Sequence, residues 1–313
     1  MNARLCAVSV DLDGIACYHR IHGLEPPEGT LDPVMSRALP RFLELFQERG
    51  IRATFFVVGE SLRSEGGRKA VATLCGSGHE IGNHTLTHPY DLFRMDPQAM
   101  RVEVAEAQRL IEQACGAAPK GFRAPGYGIS PALLRILEEL GFEYDSSVFP
   151  SPPYYAAKAL IMGTMRLTGR HSGAALLDPR LAFAPRSPYV PDPGAPWRKG
   201  ASSLLEVPIS VAPGTRVPVI GTSLTLAPGA LRKLLVASLR SDAVVNLEFH
   251  GLDLCDADMD GLSPALKARQ PDLRIPLGHK RAALGHVLRE VLEAGYECVP
   301  LLEVTRRLRS TLQ

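Results

Sequence analysis

A helical pattern, a glycine and then a run of aromatic or branched residues recur three times along this chain, at Gly50, Gly141 and Gly295. Glycine just past a helix supplies the left-handed residue that turns the chain back towards a sheet. Strands that alternate with helices pair in parallel through right-handed crossovers. The repeat therefore restricts the chain to an α/β barrel or a doubly wound sheet. A chain of 313 residues is an ordinary size for one α/β barrel, so we expect a single domain over residues 1–313.

Residues 5–10 read as a buried strand that stops at Asp11-Leu12-Asp13-Gly14. Alternation puts Asp11 and Asp13 on one side if the strand continues. Asp32-Pro33, Asp96-Pro97 and Ser130-Pro131 read as N-caps with proline in the first helical position. The helix after Asp96 is expected to bury Val102, Val104, Leu110 and Ile111. Further strands are expected at 51–58, 121–124, 142–147, 204–209, 244–250 and 296–299, and further helices near 67–76, 228–240, 280–294 and 302–308. Residues 150–203 break the rhythm and read as an insert rich in Pro, Gly, Arg and Ser. Within it, 155–168 is amphipathic: Ala159, Leu160, Met162, Met165 and Leu167 mix with Lys158 and Arg166. The plainer reading is a helix packed on the barrel. The alternative is a lid that meets an apolar part of a substrate or a membrane surface. Residues 185–197 read as an ordered surface loop.

The net charge of +2 points to neither nucleic acid nor a strongly acidic partner. None of the six cysteines forms a Cys-x-x-Cys pair, and several read as buried small hydrophobes. No apolar run is long enough to span a bilayer and no leader pattern opens the sequence, so a cytoplasmic, reduced protein is the expectation.

Chemistry-bearing residues fall where strands give way to loops: Asp11, Asp13, His84, His88, Arg123, Asp145 and His250. In a parallel barrel those ends share one face, so residues far apart in sequence converge there. His84 and His88 are four apart, which on a helical turn places them on one side, and Pro89 ends that turn. One Asp with two His makes a three-ligand set with open positions for a divalent ion. A second carboxylate beside it can take a proton from water, an imidazole opposite can protonate a leaving amine, and an arginine can orient the carboxylate. These are the parts for metal-assisted amide hydrolysis. His19 and His22 read as members of a solvated loop, and His171 and His279 as surface residues. Asp253, Asp256, Asp258 and Asp260 read as a solvated acidic loop, and Trp197 as a packing residue.

The set resembles the polysaccharide deacetylase family, also called the NodB-homology or carbohydrate esterase family 4 group. Ser9-Val10-Asp11-Leu12-Asp13-Gly14 resembles its first motif in the Asp-x-Asp branch, which implies Asp11 as base and Asp13 as metal ligand. His84-Thr85-Leu86-Thr87-His88 matches the second motif and supplies two histidine ligands. Arg123-Ala124-Pro125 matches the third: Arg123 orients Asp11, and backbone N–H groups after Pro125 help hold the oxyanion. Asp145-Ser146-Ser147 matches the fourth, a groove wall, and His250 stands where the fifth places the general acid.

There are two departures. Gly126 precedes Tyr127 where an aromatic usually follows the proline, and Glu248 replaces a leucine two residues before His250. A carboxylate there can raise the pKa of His250, or it is a groove-lining or salt-bridged residue. Tyr127, Gly126, Asp145 and Glu248 are the expected substrate-binding residues. The implied fold is a distorted, incomplete, seven-stranded (β/α) barrel, here with an insert at about 150–203. The implied cofactor is a divalent metal, zinc first, with cobalt, nickel or manganese as alternatives. The implied activity removes an N-acyl group, acetyl first, from an amino sugar or glycoconjugate. A deformylase or deacetylase of a lipid-linked sugar precursor with peripheral membrane contact is the near alternative, and a non-catalytic carbohydrate-binding protein the distant one.

Overall fold

The computed structural model describes residues 3–27, 32–169 and 172–312. Strand β1 (Arg4–Leu12) is the hub of an eight-stranded sheet in which every pairing is parallel. Helix α1 (Ile15–Ile21) and helix α2 (Leu39–Gln47) precede β2 (Thr54–Val57). Then come α3 (Glu65–Gly76), β3 (Glu80–Asn83), α4 (Pro97–Cys115), β4 (Gly121–Phe122), α5 (Pro131–Glu139) and β5 (Tyr144–Asp145). The insert contributes α6 (Pro152–Leu167) and a hairpin of β6 (Pro191–Asp192) and β7 (Ala195–Lys199). The chain ends with β8 (Leu205–Glu206), α7 (Gly221–Leu226), α8 (Gly229–Ser238), β9 (Val244–His250), α9 (Pro264–Arg269), α10 (Leu277–Glu293), β10 (Tyr296–Cys298) and α11 (Leu301–Leu312).

The sheet runs β10-β1-β2-β3-β4-β5-β8, with β9 on the other edge of β1. It has one strand more than the seven implied by the resemblance, because β2 and β10 share one edge of β1. β10 pairs at Arg4–Cys6 and β2 at Ser9–Leu12. β1 is buried along nearly its whole length, and its two faces differ. Cys6, Val8, Val10 and Leu12 enter the core under the helices with Phe42, Phe46 and Phe55. Leu5 and Ala7 pack inside the curl against Phe56, Tyr144 and Val207. Ser9 and Asp11 continue that inner row, so the interior is apolar at one end and polar at the C-terminal end of the strand.

The barrel does not close through a ladder between β8 and β9. Pro208 follows β8 and has no N–H to give. Asn246 on β9 bridges the gap instead: its Nδ2 donates to the carbonyls of Val207 (3.2 Å) and Pro208 (3.4 Å), and its N–H donates to Ser210 Oγ (2.8 Å). The fold is thus an incomplete α/β barrel, one of the two architectures the alternation allows. Gly50, Gly141 and Gly295 all have positive φ (63°, 75° and 81°), so the glycine rhythm works as chain reversal.

Several local expectations are corrected. Residues 15–21 form a helix, because Asp32 reaches across to accept from the Ile15 N–H (2.8 Å) and fixes its start. His19 is therefore buried, with Nδ1 on the Ile15 carbonyl (2.9 Å), and is not part of a solvated loop. Asp32 also caps the segment at 34–38, which opens as a π-turn before α2. The buried stripe of α4 is Met100, Glu103, Val104, Ala107 and Ile111, which leaves Val102 half exposed on the far side. Residues 191–199 fold into a hairpin where a loop was expected. His171 lies outside the described residues. The acidic run is not a shared solvated loop: Asp253 is buried, Asp260 pairs with Arg41 (2.7 Å) and Asp258 with Lys267 (2.7 Å).

Cys75 and Cys115 are joined in a disulfide between α3 and α4, against the expected reduced state; Cys6, Cys17, Cys255 and Cys298 are free. The bridge closes a separation of 40 residues, for which chain entropy gives about 4 kcal/mol. Replacing both with serine should lower the unfolding free energy by about 3–4 kcal/mol in denaturant melts, and reductant should do the same to the parent protein.

Candidate metal and acid–base site

Parallel pairing puts the C-terminal ends of β1, β2, β3, β4 and β9 side by side, and the site is built there. Asp11 is in register with His250 across β1 and β9. Asp13 lies just beyond the strand. Its Oδ1 is 3.1 Å from His84 Nε2 and 3.2 Å from His88 Nε2. All three side chains are at least 93% buried. Burial pushes the Asp13 carboxyl up, but the two imidazoles outweigh it and hold the acid well below its usual range.

The turn that presents the imidazoles is not helical. Thr85 (φ 66°) and His88 (φ 60°) both take the left-handed backbone that side chains avoid, so the turn is strained. Neighbours hold it. Asn83 Oδ1 accepts from the Thr85 N–H (2.8 Å), and Thr85 Oγ1 accepts from the His88 N–H (3.1 Å). Glu103 on α4 accepts from the N–H groups of Leu86 (3.1 Å) and Thr87 (2.9 Å) and from the Thr87 hydroxyl (2.8 Å). Sequence reasoning missed Glu103; its signal was an acid inside the apolar stripe of α4.

The donor set fits a divalent ion. The His84 Nδ1–H donates to the Arg123 carbonyl (2.7 Å), which fixes the tautomer and leaves Nε2 free for a metal. His88 Nε2 and Asp13 Oδ1 are buried without a hydrogen-bond partner, a costly state that a bound cation relieves. The ligand atoms of Asp13, His84 and His88 all lie within 4.8 Å of one another.

Arg123 is fully buried beside this set. Its Nη1 donates to Asp11 Oδ1 (2.6 Å), Nη2 to Ser9 Oγ (3.0 Å) and Ser146 Oγ (2.8 Å), and Nε to the Ser146 carbonyl (2.9 Å). The guanidinium also lies 4.2 Å from the centre of the Phe56 ring. Asp11 is therefore fixed through one oxygen, and Oδ2 faces His84 Nε2 at 3.8 Å.

His250 and Glu248 stand beside Asp11, with ligand atoms of all three within 4.8 Å of one another, and Tyr127 joins them. The Tyr127 hydroxyl donates to Glu248 Oε2 (3.1 Å) and lies 3.4 Å from His250 Nε2. Glu248 Oε1 is 4.0 Å from His250 Nε2. Burial lifts the Glu248 carboxyl to about 8. Burial pulls His250 down, but Glu248, Asp11, Asp13 and Asp253 together raise it to about 9. Gly126 and Tyr127 both have positive φ, and a Cβ on Gly126 would come within 3.1 Å of the Tyr90 ring. The inserted glycine thus swings Tyr127 inward onto Glu248.

Asp145 does not line a groove. It is fully buried, and its Oδ1 accepts from Ser147 Oγ (2.5 Å), which in turn accepts from the Ala124 N–H (2.8 Å). It braces the Arg123 loop from behind. Burial lifts Asp145 to about 6 and, together with Asp145, pushes the neighbouring Glu206 well up. Both carboxyls keep their protons in the folded chain at pH values where the unfolded chain has released them. Stability is therefore greatest below pH ~4 for this pair and falls as pH rises through about 6. Asp145→Asn should flatten that decline in melting temperature between pH 5 and 8. An unchanged slope would remove the pair as its cause. Asp253, also missed, accepts from the His250 N–H (2.8 Å) and anchors the end of β9. Trp197 packs under Arg180 (3.7 Å) in the insert.

The sequence profile described as polysaccharide deacetylase matches residues 29–144, which contain His84, His88 and Arg123. Over those residues the chain is similar to the polysaccharide deacetylase family. Asp11, Asp13 and His250 lie outside that match, and it is the parallel sheet that brings them to it. Among curated relatives, a chitooligosaccharide deacetylase from Bradyrhizobium is 40% identical over 91 residues, 29% of this chain and 40% of that one. A peptidoglycan deacetylase from Helicobacter pylori is 29% identical over 156 residues, covering 48% and 52%. The chain spans about half or less of the length of these curated relatives. A crystal structure from Mycobacterium smegmatis assigned to the polysaccharide deacetylases shares the fold, with a TM-score of 0.61 at 18% identity over 99% of this chain and 92% of that one.

Proposed function

We propose that this chain is a metal-dependent amide hydrolase that removes an N-acyl group, acetyl first, from an amino sugar. The observation that carries the reading is the convergence of Asp13, His84 and His88, with unpartnered buried ligand atoms, beside Asp11, whose carboxylate in turn lies within 4.8 Å of the His250 ring nitrogen. The printed activities of the curated relatives, on chitooligosaccharide and peptidoglycan, support the same reaction class.

A divalent ion held by Asp13, His84 and His88, with zinc the first choice for an Asp/His₂ set, supplies Lewis-acid polarisation of an acyl oxygen and acidifies water. Asp11 receives the proton of the attacking water on the oxygen that Arg123 does not hold. His250, kept protonated near neutrality by the surrounding carboxylates, gives its proton to the departing amine. Glu248 and the Tyr127 hydroxyl hold the imidazolium side of the cleft. The resemblance assigns the developing oxyanion to backbone N–H groups after Pro125, of which the Tyr127 N–H donates to the Ala124 carbonyl (3.1 Å) in this state.

The test is a panel of N-acetylated and N-formylated sugars, free, nucleotide-linked and lipid-linked, assayed for released acid. A chelator should reduce turnover at least ~100-fold, and added Zn²⁺ should restore it. Turnover that survives metal removal overturns the reading. Saccharide binding without turnover on any member of the panel favours the non-catalytic alternative.

A further inference from the structure

Helix α6 has two unlike faces. Its inner face covers the loop after Arg123. The Tyr154 ring lies 5.7 Å from that of Tyr127 and 4.8 Å from that of Phe149. Lys158 Nζ stands 3.8 Å from where a Cβ on Gly126 would lie, and Met165 is buried. The outer face is the anomaly. Ala156, Ala157, Ala159, Leu160, Ile161, Gly163, Thr164 and Leu167 are all exposed, and Arg166 is the one charge among them. A surface helix ordinarily turns its charged side to water. Here Leu160 is 69%, Ile161 58% and Leu167 88% exposed. Phe183, 70% exposed, sits on a turn packed beside α6. Of the ten large apolar side chains exposed among the described residues, five fall between 160 and 183. The patch is thus local and large, the kind that marks an interaction site.

Charge indicates the occupant. From 150 to 177 the sequence contains Lys158, Arg166 and Arg170 and no Asp or Glu. Over 150–203 it holds seven Lys and Arg against two Asp, an excess larger than the +2 of the whole chain. A second copy across a two-fold axis would set this cationic segment against itself. No helix among the described residues is long and apolar enough to cross a bilayer. An apolar face flanked by cations, on a helix of 16 residues, suits the plane of an anionic membrane surface.

We propose that α6 and the turn beside it dock on an anionic lipid bilayer, with Leu160, Ile161, Leu167 and Phe183 among the acyl chains and Arg166 at the headgroup phosphates. Docked in this way, the inner face of α6 sets the loop carrying Gly126 and Tyr127 next to the headgroup layer. Resting on the amide-hydrolase reading, this makes the substrate an acylated amino sugar carried on a lipid.

The experiment is co-sedimentation of the intact protein with vesicles of phosphatidylglycerol and phosphatidylcholine in equal parts, and with vesicles of phosphatidylcholine alone. Binding to the mixed vesicles is expected to exceed binding to phosphatidylcholine at least ~10-fold and to weaken with salt. The double variant Leu160→Ser/Leu167→Ser should lose at least ~10-fold, and Arg166→Glu several-fold. These side chains are exposed and remote from the ligand residues, so hydrolysis of a water-soluble N-acetylated chitooligosaccharide should be unchanged in both variants. Hydrolysis of an N-acetylglucosaminyl lipid in anionic vesicles should fall with binding. Absence of vesicle binding, or equal binding by the double variant, overturns the proposal. So does a dimer in sedimentation equilibrium that the double variant dissolves, because it assigns the face to a second copy. If the parent protein hydrolyses no soluble or lipid-borne amide, the hydrolase reading fails while the vesicle result stands by itself.

Discussion

Asp13→Ala should abolish both metal binding and turnover. The carboxylate lies between two imidazoles at 3.1 and 3.2 Å, and it is the only anionic member of the three-ligand set. Its removal leaves two neutral nitrogens, too few to hold a divalent ion against water. Calorimetric titration of the stripped protein with Zn²⁺ should lose its tight phase, and the rate should fall by ~10⁴ or more. The fold should survive, because Asp13 lies past the last paired residue of β1 and the apolar rows beneath it are untouched. Full activity in this variant would sink the metal assignment, whatever the chelator experiment had shown.

Arg123→Met should cost both stability and rate. The guanidinium makes hydrogen bonds to Asp11, Ser9 and both acceptors of Ser146 with no exposure to water. Methionine fills a similar volume but strands the buried Asp11 carboxylate. Removing one partner of a buried pair costs about 3–5 kcal/mol. Lysine is not a conservative replacement, because one ammonium cannot reproduce the forked contacts. The rate should drop ~10²–10³-fold, since Asp11 is no longer oriented. Denaturant melts and kcat measure the two effects. The double variant Asp11→Asn/Arg123→Met separates them: stability should partly return, because no unpaired charge remains, while turnover stays lost. If the double variant is no more stable than Arg123→Met, the stranded charge is not the cause.

The parts of the fold legible in the sequence were those set by short-range rules. Caps at Asp96 and Ser130 each accept hydrogen bonds from the first turn of their helix, and the glycines after helices reverse the chain. The strand ends followed from composition, because an apolar run that stops at Asp11 can only stop at the rim of a core. What was hidden depended on contacts between distant segments. α1 starts where Asp32 accepts from Ile15, and no local pattern announces that. Asp145 resembled a groove residue by motif, yet Ser147 and Glu206 draw it inward beneath the Arg123 loop. The His84–His88 spacing fits a helical turn, but Asn83 and Glu103 pull the same five residues into a left-handed bend. Spacing alone cannot tell these two conformations apart.

The register between Asp11 and His250 bears on how the protein comes to life. The two residues stand on the first and the ninth strands, so His250 cannot meet Asp11 until the whole stretch between them has been made. Until that stretch is complete the growing chain lacks its proton donor and stays chemically silent. The proton donor arrives only when the late strand slides into the open side of the first.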